Sequence, residues 1–272
     1  MFTVLKLVHP PKKGWLKKIR AAYGWLPVEA EKQYAGDVPF YLLKCVPSQK
    51  GIVWSKVEKT AGPLAAKMVL PQNVVPPRGS TIIAYDYTEF ARRLLVNFAL
   101  ETMKKAAQRK RLCAVLVDIQ GRCTGVAVEL LRCCAELTIL TMHASAYDGC
   151  LLYTTENMGV TPVISSDPQI MDWADLIIAP YGFEEYCLPP LKTPVFSSGS
   201  GRMFMSVEDH SVVLPYKYMM MLPAGVMPIA FGAACYESGF ARDLGYLTPP
   251  YLIQNNRKIT PAETIRKICG LT

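Results

Sequence analysis

The chain has 272 residues, 51% of them hydrophobic and 19% charged, with a formal net charge of +8. This composition is typical of a globular protein with a sizeable core, and it argues against extensive disorder. The nine cysteines lie in apolar segments without a CxxC pair, and the three histidines are far apart in the chain. We therefore predict no metal site and expect reduced thiols, as in a cytoplasmic protein.

The amino-terminal segment is strongly basic. Residues 1–20 carry six positive charges and no acidic residue: Lys6, Lys12, Lys13, Lys17, Lys18 and Arg20. Between Gly14 and Tyr23, apolar residues recur at helical spacing among the lysines. The pattern fits a basic amphipathic helix at a membrane or nucleic-acid surface, and it also fits a short surface helix that docks its aromatic side on its own domain. We expect the docked helix, and no nucleic-acid partner.

The rest of the amino-terminal region shows little regular periodicity. Short apolar pieces over 52–75 alternate with proline and glycine, and a proline–proline–glycine break follows near residue 79. We predict an irregular subdomain or cap over residues 1–80. A predicted buried strand at 81–84 and a helix capped by Thr88 then open an α/β domain over residues 81–200.

The centre of this α/β domain is Leu112–Thr141, with the sequence LCAVLVDIQGRCTGVAVELLRCCAELTILT. An apolar strand ends at Asp118, a turn with Gly121 and Gly125 leads into an amphipathic helix, and a second apolar strand follows. Glycine lets the backbone approach a ligand, and the free N–H groups of a helix amino terminus favour an anion, typically a phosphate. The pattern therefore predicts a strand–turn–helix–strand unit with a phosphate-sized turn.

After this unit, strands and helices continue to alternate. We predict a helix over 147–158 that ends at Gly159, followed by strands at 162–165, 174–179 and 193–196. Strands that are apolar almost throughout and that alternate with helices indicate a mainly parallel sheet flanked by helices on both faces. The predicted fold class is thus α/β.

The carboxyl-terminal residues 201–272 are predicted to form a helical appendage, with one helix over 228–238 and another started by a capping box at Thr260 and Glu263. Residues 218–236 are uncharged and long enough to span a membrane, but their prolines and glycines favour a turn and a buried helix. We expect no transmembrane span. The amino terminus lacks the pattern of a signal peptide, which favours a cytoplasmic location.

The central unit, together with the later segment DPQIMDWADLIIAPYG at 167–182, resembles the NAD(P)-binding Rossmann superfamily. The rhythm is similar to that of shikimate-dehydrogenase-like and methylene-tetrahydrofolate-dehydrogenase-like proteins, over about residues 110–183. The resemblance implies a Rossmann-like fold, a nucleotide ligand, and NADP or NAD as the cofactor of an NAD(P)-dependent oxidoreductase.

The sequence departs from the superfamily pattern at three points. The turn GRCTG lacks the middle glycine of GxGxxG, and Asp118 would repel a pyrophosphate unless its side chain points away. The second strand ends at Thr141, without the acidic residue that holds the adenine ribose of NAD. Since the 2′-phosphate of NADP prefers hydrogen-bond donors, NADP is favoured over NAD.

The resemblance implies that Gly121, Arg122, Thr124 and Gly125 hold phosphates, with Thr141 and His143 near the adenosine ribose. We expect Tyr181 across the cleft from the turn, because open parallel sheets bind ligands where the strand order reverses. No acid–base pair is evident, so catalytic residues are not assigned.

Two other functions remain open from the sequence. One is a non-catalytic nucleotide sensor or binding scaffold, and the other is an adenosylmethionine-dependent methyltransferase. In each case the expected partner is a small-molecule or nucleotide ligand, and the sequence gives no indication of the oligomeric state.

Overall fold

The structure is a computed structural model that describes residues 1–10, 12–183, 189–190, 192–199 and 203–270. Its strands are β1 (Phe2–Leu7), β2 (Glu29–Ala35), β3 (Val38–Cys45), β4 (Met68–Val69), β5 (Cys113–Val117), β6 (Glu136–Leu140), β7 (Val163–Ser165), β8 (Leu176–Ala179), β9 (Val195–Ser197), β10 (Phe204–Met205), β11 (Leu252–Gln254) and β12 (Arg257–Ile259). Its α-helices are α1 (Trp15–Ala22), α2 (Trp54–Ala61), α3 (Thr88–Ala107), α4 (Thr124–Leu131), α5 (Asp148–Met158), α6 (Tyr216–Met219), α7 (Pro228–Glu237) and α8 (Pro261–Ile268).

The chain folds into two compact units. The first comprises Met1–Phe90 and Leu214–Gly245, and the second comprises Ala91–Val213 and Tyr246–Thr272. The sequence led us to expect three consecutive parts with boundaries at 80 and 200. The structure divides the chain differently, because the carboxyl-terminal residues are shared between the two units.

The first unit contains a four-stranded sheet in the order β2-β3-β1-β4. Strand β1 is parallel to β3 and β4, whereas β2 is antiparallel to β3. We had expected an irregular region here. The sequence did not predict this sheet because β2, with the sequence EAEKQYA, is mostly exposed and polar and lacks the alternation of apolar and polar residues that indicates a strand.

An aromatic cluster explains why α7 belongs to the first unit. The ring of Phe231 on α7 meets the rings of Phe2 and Phe40 edge-on, with centroid distances of 5.9 and 5.5 Å. All three side chains are buried. Edge-to-face aromatic contacts add to the stabilisation that burial alone provides. The predicted helix over 228–238 is therefore confirmed, but it completes the core of the first unit instead of forming an appendage.

The second unit contains a six-stranded sheet in the order β10-β9-β8-β5-β6-β7, in which every neighbouring pair is parallel. Counted along the chain from β5, this is the order 6-5-4-1-2-3 of the doubly wound Rossmann sheet. Helices α4 and α5 connect β5 to β6 and β6 to β7. The predicted Rossmann-like parallel sheet flanked by helices is confirmed, and its strand order reverses between β5 and β8.

Several predicted elements of the second unit are also confirmed. Gly159 ends α5 in the left-handed conformation, with φ +67°. The capping box is present at the start of α8, where the N–H of Thr260 donates to Glu263 at 2.8 Å. The hairpin of β11 and β12 was not foreseen. Its turn places Asn255 and Asn256 at φ +50° and +59°. This is the left-handed backbone conformation, which asparagine adopts more readily than most residues other than glycine.

The strand predicted at 81–84 is wrong. This segment pairs with β4 only through an isolated parallel bridge between Met68 and Ala84, and Ile83 is 61% exposed. Its β-branched residues therefore misled the periodicity argument. Residues 218–236 contribute to α6, a turn and α7, and no helix in the described part of the chain is long and apolar enough to cross a membrane.

Candidate functional site

The candidate site lies at the carboxyl ends of β5 and β8, where the strand order reverses. Ala114 and Leu116 of β5 pair with Leu176 and Ile178 of β8. The glycine turn follows β5, and a second turn, 180–183, follows β8. Both turns therefore leave the sheet at the edge where open parallel sheets bind their ligands.

The carboxylate of Asp118 is turned into the protein. Asp118 is 1% exposed, and its Oδ2 accepts hydrogen bonds from the backbone N–H of Cys123 at 2.7 Å and from the hydroxyl of Tyr147 at 2.6 Å. Its Oδ1 is also buried and has no hydrogen-bond partner among the described residues. The carboxylate thus holds the glycine turn closed, and it takes an N–H group that a phosphate could otherwise use.

Tyr147 is a stable proton donor to this carboxylate. Its side chain is fully buried, and burial, followed by the hydrogen bond to Asp118, raises the pKa of the Tyr147 hydroxyl far above its ordinary value. The hydroxyl therefore stays protonated at physiological pH. Because Tyr147 follows β6 and Asp118 follows β5, the bond ties together two neighbouring strand ends.

The two glycines of the turn have different roles. Gly121 has φ +70°, and a Cβ at this position would lie 2.7 Å from the Cβ of Ala146 and 3.2 Å from that of His143. Gly125, in the first turn of α4, has no atom within 4 Å of the place where its Cβ would be. Gly121 is thus required by backbone conformation and packing, whereas Gly125 leaves open space above the amino terminus of a helix.

Two arginines face the ring of Tyr181. The guanidinium carbon of Arg92, on α3, lies 4.1 Å from the ring centroid, and that of Arg122, in the glycine turn, lies 5.5 Å from it. Cations at such distances are attracted by the negative face of an aromatic ring. The turn that carries Tyr181 is closed by the N–H of Gly182, which donates to the carbonyl of Ala179 at 3.0 Å.

These side chains border a cavity of about 170 Å³. It is lined by Arg92, Val117, Ile119, Gln120, Arg122, Tyr181, Gly182 and Phe183. Among the residues that the structure describes, the charged members of this lining are the two arginines. A space of this size suits a phosphate or carboxylate group better than a whole dinucleotide, which needs a larger site. Guanidinium groups are the preferred partners of such anions, because they donate two parallel hydrogen bonds.

A larger cavity of about 630 Å³ also occurs in the second unit. Its lining comes from α3, from the end of α4 with the residues just after it, and from the segment near Thr248; no strand end is among the described residues that line it. Two of its lining residues, Arg93 and Glu129, are paired through two hydrogen bonds of 2.8 and 3.1 Å. Arg93 is therefore engaged with Glu129, whereas the adjacent Arg92 faces the ring of Tyr181.

The predicted site residues fall into two groups. Gly121, Arg122, Thr124, Gly125 and Tyr181 gather around the turn, and His143 lies beside Gly121 with its side chain exposed. Thr141 differs from the prediction. It is 2% exposed, and its hydroxyl oxygen accepts the N–H of His143 at 3.1 Å, so it orders the turn after β6 instead of facing a ligand.

Arg92 is the site residue that the sequence analysis missed. It lies near the amino end of α3, where the helix dipole offers no stabilisation to a cation. The sequence did offer one indication of a site here, because two adjacent arginines, Arg92 and Arg93, are unusual near the amino end of a helix. Among the residues that the structure describes, no cluster of histidine, cysteine or carboxylate side chains could hold a metal ion.

Comparisons with known proteins add little to this geometry. No protein-family model matches the chain, and no curated protein is significantly similar in sequence. The chain is similar in structure to L-tryptophan dehydrogenase from Nostoc punctiforme, with 11% identity over 99% of this chain and 79% of that chain and a TM-score of 0.34. It is also similar to quinate dehydrogenase from Corynebacterium glutamicum in complex with NAD, with 14% identity, coverage of 99% and 94%, and a TM-score of 0.30. Likenesses this weak carry no argument about activity, so the fold assignment rests on the strand order itself.

The contrast between the two glycines predicts opposite effects of alanine. Gly121→Ala should lower the free energy of unfolding by about 1–3 kcal/mol, because the residue needs a left-handed backbone and its Cβ would clash with Ala146. The matched control, Gly125→Ala, should leave stability unchanged or raise it by up to about 1 kcal/mol through helix propensity. Urea unfolding measures both. Equal losses in the two variants would contradict the packing described for Gly121.

The bond between Tyr147 and Asp118 predicts a loss of stability when the hydroxyl is removed. Tyr147→Phe should lower the free energy of unfolding near neutral pH by about 1.5–3 kcal/mol, because a buried carboxylate loses one of its donors. Tyr153→Phe, at an exposed tyrosine on α5, the helix that begins one residue after Tyr147, is the control and should change little.

The same pair of variants has a predicted pH dependence. Since the pKa of Tyr147 is raised in the folded state, the folded protein keeps a proton that the unfolded chain releases above about pH 10. Stability should therefore fall as the pH rises above this value, by up to about 1.4 kcal/mol per pH unit for this residue. Tyr147→Phe should show a shallower fall than Tyr153→Phe, and identical slopes would refute the assignment.

Proposed function

We propose that the second unit binds a nucleotide by a phosphate group at Arg92, Arg122 and Tyr181, and that the protein is an NAD(P)-dependent oxidoreductase that prefers NADP. The observation that carries the proposal is the pair of guanidinium groups over one tyrosine ring at the switch point of a Rossmann-ordered sheet. The position is the one that the fold offers to ligands, and the charge is the one that a phosphate requires.

The residues present fit a phosphate beside the glycine turn better than one inside it. The N–H of Cys123 already donates to Asp118, and the buried carboxylate would repel an anion placed on the turn. Arg122 and Arg92 lie to the side that faces Tyr181. A phosphate is therefore proposed to sit against the two guanidinium groups, with the open space at Gly125 and the first turn of α4 available to the rest of the ligand.

The preference for NADP rests on the end of β6. The residues that follow this strand, Thr141 to His143, include no carboxylate that could hold the two ribose hydroxyls of NAD. The exposed His143 beside Gly121 offers a donor to a 2′-phosphate instead. The nicotinamide ring would supply hydride-transfer chemistry when the cofactor is bound. The role of the residues named here is to bind and orient it.

A second candidate is nucleotide binding without catalysis. It is favoured by one observation: the acid and the hydroxyl nearest to the turn, Asp118 and Tyr147, are buried and bonded to each other. A pair engaged in this way is poorly placed to exchange protons with a substrate. Methyl transfer from adenosylmethionine has less support, because that cofactor carries no phosphate and its sulfonium would be repelled by two arginines.

Calorimetric titration with NADPH, NADH and adenosylmethionine tests the proposal. NADPH should bind most tightly. Arg122→Ala should weaken NADPH binding about 10- to 100-fold, the usual loss for a charged hydrogen bond. Arg109→Ala removes another exposed arginine of the same unit that does not line the cavity, and this variant should bind NADPH as the wild type does.

Four outcomes test the proposal and separate the candidates. Absence of NADPH and NADH binding at millimolar ligand would refute the cofactor assignment, as would equal weakening by the two arginine variants. Binding of NADPH without oxidation across a panel of carbonyl substrates would support the non-catalytic candidate. Binding of adenosylmethionine alone would decide for a methyltransferase.

A further inference from the structure

Helix α1 turns its apolar side away from the protein. Its apolar residues Trp15, Leu16 and Ile19 are 70%, 55% and 39% exposed, and Tyr23, one residue beyond it, is 70% exposed. The buried residue of the helix is Ala21, which lies on the other side. The sequence led us to expect that the aromatic side would dock on the domain. That expectation was wrong, since the helix rests on its alanine side.

The exposed aromatic surface continues past the end of the helix. Trp25 is 64% exposed, and its ring stacks on that of Tyr23 at a centroid distance of 5.3 Å. The five residues Trp15, Leu16, Ile19, Tyr23 and Trp25 form what we call the aromatic ridge. A tryptophan and a tyrosine stacked in water bury little of their apolar surface, so the ridge keeps a large unsatisfied apolar area.

The ridge is anchored at its carboxyl-terminal end. The ammonium group of Lys56 donates to the carbonyls of Gly24 and Leu26 at 2.7 and 3.1 Å. Gly24 has φ +70°, and a Cβ there would lie 2.7 Å from a methyl group of Val53. Contacts within the first unit therefore fix the turn that presents Tyr23 and Trp25. The same contacts hold the two rings in their exposed positions.

Basic residues are frequent in and just before α1, the helix that carries most of the aromatic ridge. They are Lys12, Lys13, Lys17, Lys18 and Arg20, all exposed. The first acidic residue of the sequence is Glu29. At 3.6 residues per turn, Lys18 and Arg20 fall on the two flanks of the apolar side of α1. The surface thus combines an apolar strip with positive charge along both of its edges.

We propose that the aromatic ridge docks on an anionic lipid surface. A helix of this kind lies in the membrane plane, buries its apolar side at the boundary of headgroups and acyl chains, and places its lysines among anionic headgroups. Tryptophan and tyrosine are the residues that favour this boundary. No membrane span is involved, and the binding needs no nucleotide, so it is independent of the function proposed for the second unit.

Charge and chemistry favour a lipid surface over other partners. Two copies of the ridge pressed together would bring the positive charges of Lys18 and Arg20 of each copy close together, which opposes self-association. A nucleic acid would attract the charges and could stack on the rings, but it would leave the aliphatic Leu16 and Ile19 in water. An anionic bilayer accommodates the charges, the rings and the aliphatic side chains together.

Vesicle co-sedimentation of the full chain tests the proposal. The probes are phosphatidylcholine vesicles with and without about 30% phosphatidylserine, a content that gives a negative surface potential. The protein should sediment with the anionic vesicles only, and high salt should release part of it because the headgroup charges are screened. Tryptophan emission should shift to the blue as Trp15 and Trp25 enter the interface.

Variants assign the binding to the ridge. Trp15→Ala should weaken binding to the anionic vesicles about tenfold through lost apolar burial, whereas Trp173→Ala, at an 85% exposed tryptophan of the second unit, should not. The double variant Lys18→Gln, Arg20→Gln should lose about fivefold per charge. Its control, Arg109→Gln with Lys267→Gln, removes the same net charge from exposed positions of the second unit and should retain binding. Every position is exposed, and thermal unfolding verifies that each variant folds.

The proposal is overturned if the wild type fails to bind anionic vesicles at low salt, or if control and ridge variants lose binding equally. It is also overturned if the ridge variants instead abolish a dimer seen by sedimentation or the binding of an oligonucleotide, with vesicle binding unchanged. Should Trp15→Ala fail to fold, the paired charge variants decide the question.

Discussion

The buried carboxylate of Asp118 is the constraint on which the candidate site depends. Taking a charge out of water is unfavourable unless hydrogen bonds compensate, and here two donors do so, the N–H of Cys123 and the hydroxyl of Tyr147. These bonds tie the end of β5 to the glycine turn and to the segment after β6. They also occupy the place where a pyrophosphate sits in an ordinary dinucleotide site, which moves the expected anion position toward the arginines that face Tyr181.

The sequence was sufficient to predict the parallel sheet and flanking helices of the second unit, and part of its site. Apolar strands alternating with helices specify a parallel sheet, and Gly121 marks a turn that no other residue fits as well. The sequence could not show that Arg92 reaches the ring of Tyr181, since their contact joins a helix before β5 to a turn after β8. Nor could it show that the hydroxyl of Thr141 is used within its own turn.

The amino-terminal region shows where periodicity stops being informative. The spacing of apolar residues correctly identified α1 as an amphipathic helix. Such spacing shows which side of a helix is apolar, but it does not show whether that side packs on the protein or faces solvent. The burial of Ala21 and the exposure of Trp15 decided the orientation. The sheet of the first unit was missed for a related reason: the edge strand β2 is polar on both faces, and β1 and β3 pair across a long connection.

The most direct test of the central claim is a crystal structure of the protein with NADPH bound. We predict a phosphate group within hydrogen-bond distance of the guanidinium groups of Arg122 and Arg92, beside the ring of Tyr181, with Asp118 still bonded to Tyr147. A phosphate bound directly on the N–H of Cys123 with Asp118 displaced would contradict it. So would NADPH in the larger cavity between α3 and α4, away from the strand ends.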